Sequence, residues 1–303
     1  MDEARLAEYL SSQTGEAVGV RSSRRIGSGY SRVSYAVDTT AGRFIVRVEQ
    51  GRTVGAWISD ELRVMQWLRR SEFPIASARW SETTGEVLGK PFLVIDALDV
   101  QPVDEQAVDE AAAIAFVKTL ASVHSLGVPS DIPAVDPQQA THVQIEHWRN
   151  VGKSAGGPRV PMLDAAEIWL HQNVPLDKRI ALVHGAPRPS NMLIVDGAVV
   201  AMTDWHMAHP GDPAEDWSYS LSMRDVPPGS RALWLSLFER VAGVRMSTAQ
   251  WAYWEAFNAY KVACINRSSL ALFETGQDLS PAMAIAGTEQ YHSLLLRLLH
   301  IVE

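Results

Sequence analysis

The segment from residue 182 to residue 205 constrains the fold of this chain more than any other, and it reads LVHGAPRPSNMLIVDGAVVAMTDW. Its apolar residues predict a short strand and a hairpin, and a polar loop connects the two. Asn191 ends the loop and Asp204 follows the hairpin. The hairpin is therefore expected to bring an amide and a carboxylate together, and these hard oxygen ligands suit magnesium.

The same segment carries the residue spacing of a kinase catalytic loop. In such a loop an Asp accepts the proton of the attacking hydroxyl, an Asn five residues later holds magnesium, and a second Asp beyond a hairpin holds it from the other side. Asn191 and Asp204 occupy the last two positions, but Ala186 stands where the first Asp is expected. A methyl group cannot take a proton, so the pattern predicts the metal ligands of a kinase without its general base.

The segment resembles the aminoglycoside phosphotransferase family of small-molecule kinases, whose loop reads His-Gly-Asp, four residues and Asn. His184, Gly185, Asn191 and Asp204 match that loop, as does the following AHPGDPAEDW, and Ala186 departs from it. The resemblance implies a bilobal kinase fold and phosphoryl transfer to a small molecule.

Nearly the whole chain is also similar to the kinase domain of the acyl-CoA dehydrogenase 10 and 11 type proteins and their bacterial stand-alone relatives. This likeness rests on RFIVRVEQG, DELRVMQWL and AYWEAFNAYK. It implies ATP or GTP as the phosphoryl donor and Mg2+ as the metal. The implied acceptor is a hydroxyl on a small molecule, such as a hydroxyacyl-CoA, a sugar-like compound or an antibiotic.

The order of elements predicts an α+β, bilobal protein-kinase-like fold, with an N-lobe over residues 1–97 and a C-lobe over 98–303. The N-lobe is a small antiparallel sheet with a short first helix and one longer helix, and the C-lobe is mainly α-helical. Strands are expected near 18–26, 31–38, 43–49, 76–81 and 91–97, with a further strand cluster at 180–204. Helices are expected near 2–12, 53–70, 108–126, 140–152, 163–173, 213–222, 229–242, 247–273 and 279–301.

Two groups of N-lobe residues are candidates for nucleotide binding. Gly27, Gly29 and Ser31 form a turn whose backbone N–H groups could approach phosphates, although an ordinary hairpin turn has the same pattern. Glu61 lies on the apolar stripe of its helix, and a buried carboxylate predicts a cation opposite it. Arg47 on the third strand is that cation and the candidate phosphate ligand; the alternative is a surface ion pair.

In the C-lobe, Arg188 would place positive charge near the transferring phosphoryl group, unless it is a solvated loop residue. His184 is interpreted as holding the loop by hydrogen bonds, and His124 as a core histidine. Asp212 and Asp216 are expected to cap and anchor the helix that follows them.

The late helix contains aromatic and charged residues that the resemblance places near the acceptor. The candidates for acceptor contact are Tyr253, Trp254, Lys261, Asn266 and Arg267. For Trp251 and Trp254 the helical spacing favours a place in the core over a place in the pocket. Lys261, Asn266 and Arg267 could meet an anionic acceptor, such as a CoA thioester or a carboxylate.

Bulk properties limit the partners. A net charge of −8 and a pI near 5.6 argue against nucleic acid or an acidic membrane surface as a partner. The one cysteine, Cys264, excludes an internal disulfide, which fits a reducing compartment, and no targeting signal is visible. A cytoplasmic location is therefore expected, whereas the oligomeric state is not predicted.

Three interpretations of the chain remain open. Ala186 either replaces the Asp of an active small-molecule kinase or marks a natural pseudokinase that binds nucleotide and acts through a partner; the retention of Asn191 and Asp204 favours the first. The third interpretation is a metal-dependent hydrolase. It would draw on residues with loose metal-ligand spacing, namely Asp204, His206, His209, Asp212 and Asp216.

Overall fold

The computed structural model of the chain describes residues 1–28, 32–49, 58–130, 132–175, 179–223, 230–276 and 279–302. The chain forms two compact units. The first comprises Met1–Ala107 and Ser190–Ala208, and the second comprises Val108–Pro189 and His209–Glu303. The first unit contains an antiparallel sheet and the second is mainly helical, so the predicted α+β class is confirmed.

The sheet of the first unit has five antiparallel strands within the described residues. They are β1 (Val20–Ser28), β2 (Arg32–Thr39), β3 (Gly42–Glu49), β4 (Ala78–Glu82) and β5 (Phe92–Asp96). The spatial order is β1-β2-β3-β5-β4, which makes β3 the central strand. The predicted meander and all five predicted strands of the N-lobe are confirmed.

One face of the sheet is covered by the first helix, α1 (Glu3–Thr14), which buries Leu6 and Leu10 against Phe44 and Val46 of β3. Successive side chains of a strand point to opposite faces, so Arg47 lies on the other face. The second helix, α2 (Ile58–Arg70), contributes Glu61 there, fully buried among the apolar residues of its inward stripe. The expected start of α2 near residue 53 lies outside the described residues.

Short strands precede and follow the loop of residues 184–191 in the sequence. In the described chain they are β6 (Ala181–Val183), β7 (Met192–Val195), β8 (Ala198–Met202) and β9 (His209–Gly211). β7 pairs with β8 as the predicted hairpin, and β6 pairs with β9 in the second unit. The strand β9 was not predicted, because three residues with a central proline give little strand signal.

The hairpin of β7 and β8 was assigned to the larger lobe, but it packs within the first unit. Val103 N donates to Met192 O at 3.1 Å, and Met202 N donates to Pro74 O at 2.9 Å. Ser190 Oγ also donates to Glu105 Oε1 at 2.6 Å. These backbone and side-chain bonds tie both ends of the hairpin to the segments that flank the sheet.

The second unit is built from helices at nearly all the predicted places. They are α3 (Glu110–Ser125), α4 (Ala140–Ser154), α5 (Pro161–Gln172), α6 (Ala214–Ser222), α7 (Ser230–Ala242), α8 (Thr248–Glu274), α9 (Pro281–Ile285) and α10 (Tyr291–Val302). Among the described residues, no helix combines the length and the apolar composition that a membrane span requires.

The helix expected over 279–301 is interrupted. A π-turn over Ala286–Gln290 separates α9 from α10. At this point Gly287 lies so close to α8 that a Cβ on it would be 2.5 Å from Leu270 Cα. A continuous regular helix with a side chain at residue 287 could not pack so closely, and a π-turn absorbs the mismatch.

Candidate functional site

Arg47 of β3 bridges two carboxylates of the first unit. Its Nη1 donates to Glu61 Oε1 and its Nη2 donates to Asp204 Oδ1, each at 2.6 Å. The expected ion pair between Arg47 and Glu61 is therefore present, and it is buried rather than on the surface, since Glu61 is 0% exposed. The planar guanidinium fork allows one side chain to hold helix α2 and Asp204, two residues beyond β8, together.

A second arginine, Arg32 at the start of β2, also pairs with Glu61. The register places Ser34 opposite Arg47, so Arg32 lies two residues along the strand on the same face. Burial, and then the nearby charge of Arg47, lower the pKa of Arg32 to about 10, which leaves it charged at neutral pH. The sequence analysis missed Arg32. Arg32 and Ser34 are two residues apart and share one face of β2, but this points to Arg32 only when the strand register is known.

Asp204 follows β8 in a left-handed backbone conformation, with φ 71° and ψ 51°. Asp tolerates this region better than most residues, and it turns the chain sharply after the strand. The carboxylate is 37% exposed and accepts from Arg47 and from His206 Nδ1, the latter at 2.8 Å. It is thus partly open to solvent and held in place from two sides.

The hairpin brings Asn191 next to Asp204 along the backbone. Thr203 N donates to Asn191 O at 2.8 Å, which extends the hairpin by one residue pair beyond Met192 and Met202. One carboxylate and one amide are oxygen donors of the kind magnesium takes when phosphates complete its coordination. The residues at this end of the hairpin therefore fit a magnesium ion that is bound together with a nucleotide.

The residues of the hydrolase interpretation are engaged separately. His206 contacts Asp204, His209 contacts Glu215 at 3.2 Å, and Asp216 contacts His124 at 2.9 Å. Within the described residues, no group of three or more His, Cys, Asp or Glu side chains is arranged to hold a metal ion. The geometry gives the hydrolase interpretation no support.

In the second unit, Asp216 organises the loop that contains Ala186. Its carboxylate accepts from His184 N at 2.8 Å, from Gly185 N at 2.9 Å and from His124 Nε2 at 2.9 Å. Burial by itself raises the pKa of Asp216, but the contacts with His124 and His184 outweigh it and hold this pKa below its usual value. The expectation that Asp216 caps a helix is wrong, because Asp216 lies inside α6 and binds the loop instead.

Lys261 of α8 holds the same loop from the other side. Its Nζ donates to Gly185 O and to Glu215 Oε1, each at 2.6 Å, and lies 4.8 Å from the ring centre of Tyr219. Both backbone polar groups of Gly185 are therefore hydrogen-bonded, the N–H to Asp216 and the C=O to Lys261. Gly185 has φ 85°, a conformation that a residue with a side chain rarely adopts, so the loop needs glycine here.

The neighbouring loop residues lie close to this framework. Ala186 is 8% exposed, and its N–H donates to His184 Nδ1 at 3.3 Å, which agrees with a structural role for His184. Arg188 is part-buried: it donates to Met223 O at 2.7 Å and lies 5.9 Å from the ring centre of Tyr219. It is therefore not the freely solvated residue of the alternative, and its place near a phosphoryl group stays a prediction.

The candidate phosphate loop is described only in part. Gly27 lies in β1 opposite Ser34, just after an irregularity in the pairing with β2. Gly29 and Ser31 lie outside the described residues. The role of all three in nucleotide binding stays a prediction.

The aromatic and charged residues of α8 that were expected near the acceptor are mostly buried. Tyr253 and Trp254 are each 2% exposed, and Tyr253 Oη donates to Leu170 O at 3.2 Å. Lys261 and Asn266 are also buried. Arg267 is partly exposed and donates to Gly156 O and Pro158 O. These four residues therefore lie in the helical core, and their contact with an acceptor stays a prediction.

Asp212, next to this framework, makes a pH-dependent contribution to stability. Burial raises its pKa from 3.8 to about 6, although the hydrogen bond that it accepts from Ala214 N acts to lower this pKa. Because the folded-state pKa is the higher one, its contribution is full below pH 3.8 and is lost as the pH rises through 6. Asp212→Asn should therefore gain about 1–3 kcal/mol of unfolding free energy relative to the parent across that window.

Urea unfolding of parent and Asp212→Asn at several pH values between 4 and 7 measures this difference. Asp99→Asn, at an exposed carboxylate, controls for the loss of one charge. A difference between Asp212→Asn and the parent that stays constant with pH would contradict the assignment.

Comparison with known proteins identifies the family. The model of the phosphotransferase enzyme family (APH) matches residues 22–257. The chain belongs to this family. Acyl-CoA dehydrogenase family member 10 from Mus musculus is 21% identical over 314 residues, which cover 93% of this chain and 29% of the mouse protein. The chain thus spans less than a third of the length of that relative.

Solved structures confirm the kinase-like fold. A protein from Ralstonia eutropha JMP134, described as a putative aminoglycoside phosphotransferase, has a TM-score of 0.72 and 20% identity, with 99% of this chain and 98% of that chain covered. Choline kinase LicA from Streptococcus pneumoniae also has a TM-score of 0.72, with 15% identity over 98% of this chain and 99% of that chain. A further LicA structure is a complex with AMP.

Proposed function

We propose that this chain is a small-molecule kinase that binds ATP or GTP with magnesium, and that Ala186 impairs its transfer of the γ-phosphoryl group to an acceptor hydroxyl. The observation that carries the proposal is the bridge from Glu61 through Arg47 to Asp204, with Asn191 beside it at the end of the hairpin. This group of residues supplies the Arg47 guanidinium for the phosphates and the side-chain oxygens of Asn191 and Asp204 for the metal, as a metal-bound triphosphate requires. The LicA complex with AMP supports nucleotide as the donor class.

The residues of the first unit have distinct tasks in this proposal. Arg47 binds the α and β phosphates, and Glu61 keeps the guanidinium in place with Arg32 as its second partner. Asn191 and Asp204 hold the magnesium ion, which neutralises phosphate charge when bound. The turn of Gly27, Gly29 and Ser31 offers backbone N–H groups to the phosphates.

Ala186 is decisive for turnover and not for binding. Phosphoryl transfer depends mainly on positioning and on charge neutralisation, both of which need residues that the chain retains. The missing carboxylate only removes the group that takes the proton of the acceptor hydroxyl. The chain is therefore proposed to bind nucleotide well and to turn over slowly.

The acceptor is proposed to be a small molecule with a free hydroxyl. A solved neighbour is a choline kinase, and a relative of this chain is an acyl-CoA dehydrogenase family member. A hydroxyacyl-CoA or a sugar-like compound would each supply the hydroxyl.

Magnesium-dependent nucleotide binding tests the proposal without an acceptor. A ligand at about a hundred times its Kd adds about 2.7 kcal/mol to the unfolding free energy, which shifts Tm by several degrees. We expect such a shift with ATP or GTP plus magnesium, and a much smaller one when magnesium is chelated. Differential scanning fluorimetry with both nucleotides measures it.

Asp204→Asn should lose most of the magnesium-dependent part of this shift, because one carboxylate ligand is gone. Asp196→Asn is the matched control. It removes a carboxylate from the same hairpin, at a residue that also has positive φ but lies at the exposed turn. Equal losses in both variants, or no shift in the parent with either nucleotide, would refute the proposal.

A further inference from the structure

A partly open cavity of about 260 Å³ lies in the second unit, between α4, α5 and α8. Its wall includes residues of all three helices and of the segment that joins α4 to α5. None of the residues assigned above to phosphate or magnesium lines it. The lining residues that carry the argument are Arg149, Lys153, Arg159, Asp164, Glu167 and Arg267.

The charges around the cavity do not cancel. Four lining residues are cations and two are carboxylates. Arg149 pairs with Glu167 at 3.1 Å, and Arg159 pairs with Asp164. These pairs use up both carboxylates, so the lining retains a net positive charge of about two from Lys153 and Arg267, in a chain that is acidic as a whole.

One hydrogen-bond donor in the wall has no acceptor. The Nε of Arg149 is buried and makes no hydrogen bond to any described residue, although Nη1 of the same side chain reaches Glu167. Native structures contain few buried donors without an acceptor, because the loss of hydration is then not compensated. Arg149 lines the cavity, and a ligand oxygen that reaches this Nε would satisfy it.

Two uncharged residues of α8, Tyr260 and Cys264, also line the cavity, on the same helix as Arg267. Burial raises the pKa of the Cys264 thiol to about 12, so it is uncharged and not a nucleophile at neutral pH. Gly152 allows α4 to approach, since a Cβ on it would lie 3.2 Å from Cys264 Sγ. The lining therefore combines cationic side chains with uncharged ones.

We propose that this cavity binds a small molecule that carries a phosphate or a carboxylate group, with the anion at Arg149 and Lys153. Its volume corresponds to about eight or nine water molecules at about 30 Å³ each, which suits a compound the size of glycerol 3-phosphate. The guanidinium and ammonium groups recognise anionic oxygens by charge-assisted hydrogen bonds. This site does not depend on the proposed phosphoryl transfer, and its test uses no turnover.

Isothermal titration calorimetry at low salt tests the site with three probes. Glycerol 3-phosphate represents phosphates, succinate represents carboxylates, and glycerol is the uncharged counterpart of the first. We expect saturable binding of at least one anion, weakened by added salt, and none of glycerol. The anion that binds with the higher affinity identifies the ligand class, phosphate or carboxylate.

Two variants locate the site. Arg149→Lys keeps the charge that faces Glu167 but removes Nε, and Lys153→Gln removes an exposed positive charge. Each should weaken anion binding by about tenfold, as the loss of one charge-assisted hydrogen bond does. The matched control is Lys118→Gln, at an exposed position of α3 that does not line the cavity, and it should bind as the parent does.

Circular dichroism confirms that each variant is folded, and the exposed Lys153 keeps the test valid if Arg149→Lys unfolds. The proposal is overturned if neither anion gives saturable heat, if glycerol binds as well as glycerol 3-phosphate, or if Lys118→Gln weakens binding as much as Lys153→Gln.

Discussion

Ala186→Asp is expected to raise the rate of acceptor phosphorylation by about a hundred- to ten-thousand-fold, the usual contribution of a general base. The loop is ready to hold the new side chain, because Asp216 and Lys261 fix the peptide of Gly185 immediately before it. The carboxylate would take the proton of the acceptor hydroxyl while the retained residues bind the nucleotide. Release of ADP or GDP across a panel of hydroxyl acceptors measures the effect.

Ala186→Asn controls for this change. It has nearly the shape of Asp but cannot take a proton at neutral pH, so its rate should stay close to that of the parent. Ala186→Asp combined with Asp204→Asn should also stay slow, since the base is useless without the metal ligand. If Ala186→Asp binds nucleotide but shows no gain with any acceptor, the pseudokinase interpretation is favoured.

The first unit could be predicted well from the sequence because its signals are local. The strands alternate, glycines mark the turns, and Glu61 stands out as a carboxylate on an apolar stripe. That misfit predicted a cation, and Arg47 supplies it at 2.6 Å. The second cation, Arg32, could not be predicted, because the carboxylate needs only one partner and the strand register is not visible in the sequence.

The framework beneath the loop was harder to predict. Asp216 follows Pro213 near a helix start, which is the pattern of a capping residue, and only the folded chain shows it facing His184 and Gly185. Partners separated by 32 and 31 residues leave no periodic signal. The same holds for Glu215 and Lys261, which are 46 residues apart.

The burial of the candidate acceptor residues on α8 could not be predicted from the sequence. A surface helix shows a polar stripe that tells which face is exposed, but α8 is buried along most of its length and on several faces. Lys261 therefore resembles a solvent-facing cation in the sequence, whereas it is 0% exposed and neutralised by Glu215. Composition alone does not distinguish a buried ion pair from a binding site.

Lys261→Met is expected to lower the free energy of unfolding by about 3–5 kcal/mol, because it leaves Glu215 as a buried charge without its main partner. Burial alone raises the pKa of Glu215, and Lys261 together with His209 brings it below its usual value. Without the ammonium group, the carboxylate must either stay charged in the core or take up a proton on folding. Gly185 O also loses its donor. Urea unfolding at pH 7 measures the change.

Two further variants separate the buried pair from a general effect of replacing a cation by methionine. Arg245→Met removes one partner of an exposed pair with Glu239, 83% and 60% exposed, and should cost only about 0–1 kcal/mol. Lys261→Met combined with Glu215→Gln should be less destabilised than the sum of the two single variants, because no unpaired charge then remains in the core. A loss below about 1 kcal/mol for Lys261→Met, or strict additivity in the double variant, would show that the two charges are not coupled as the 2.6 Å contact requires.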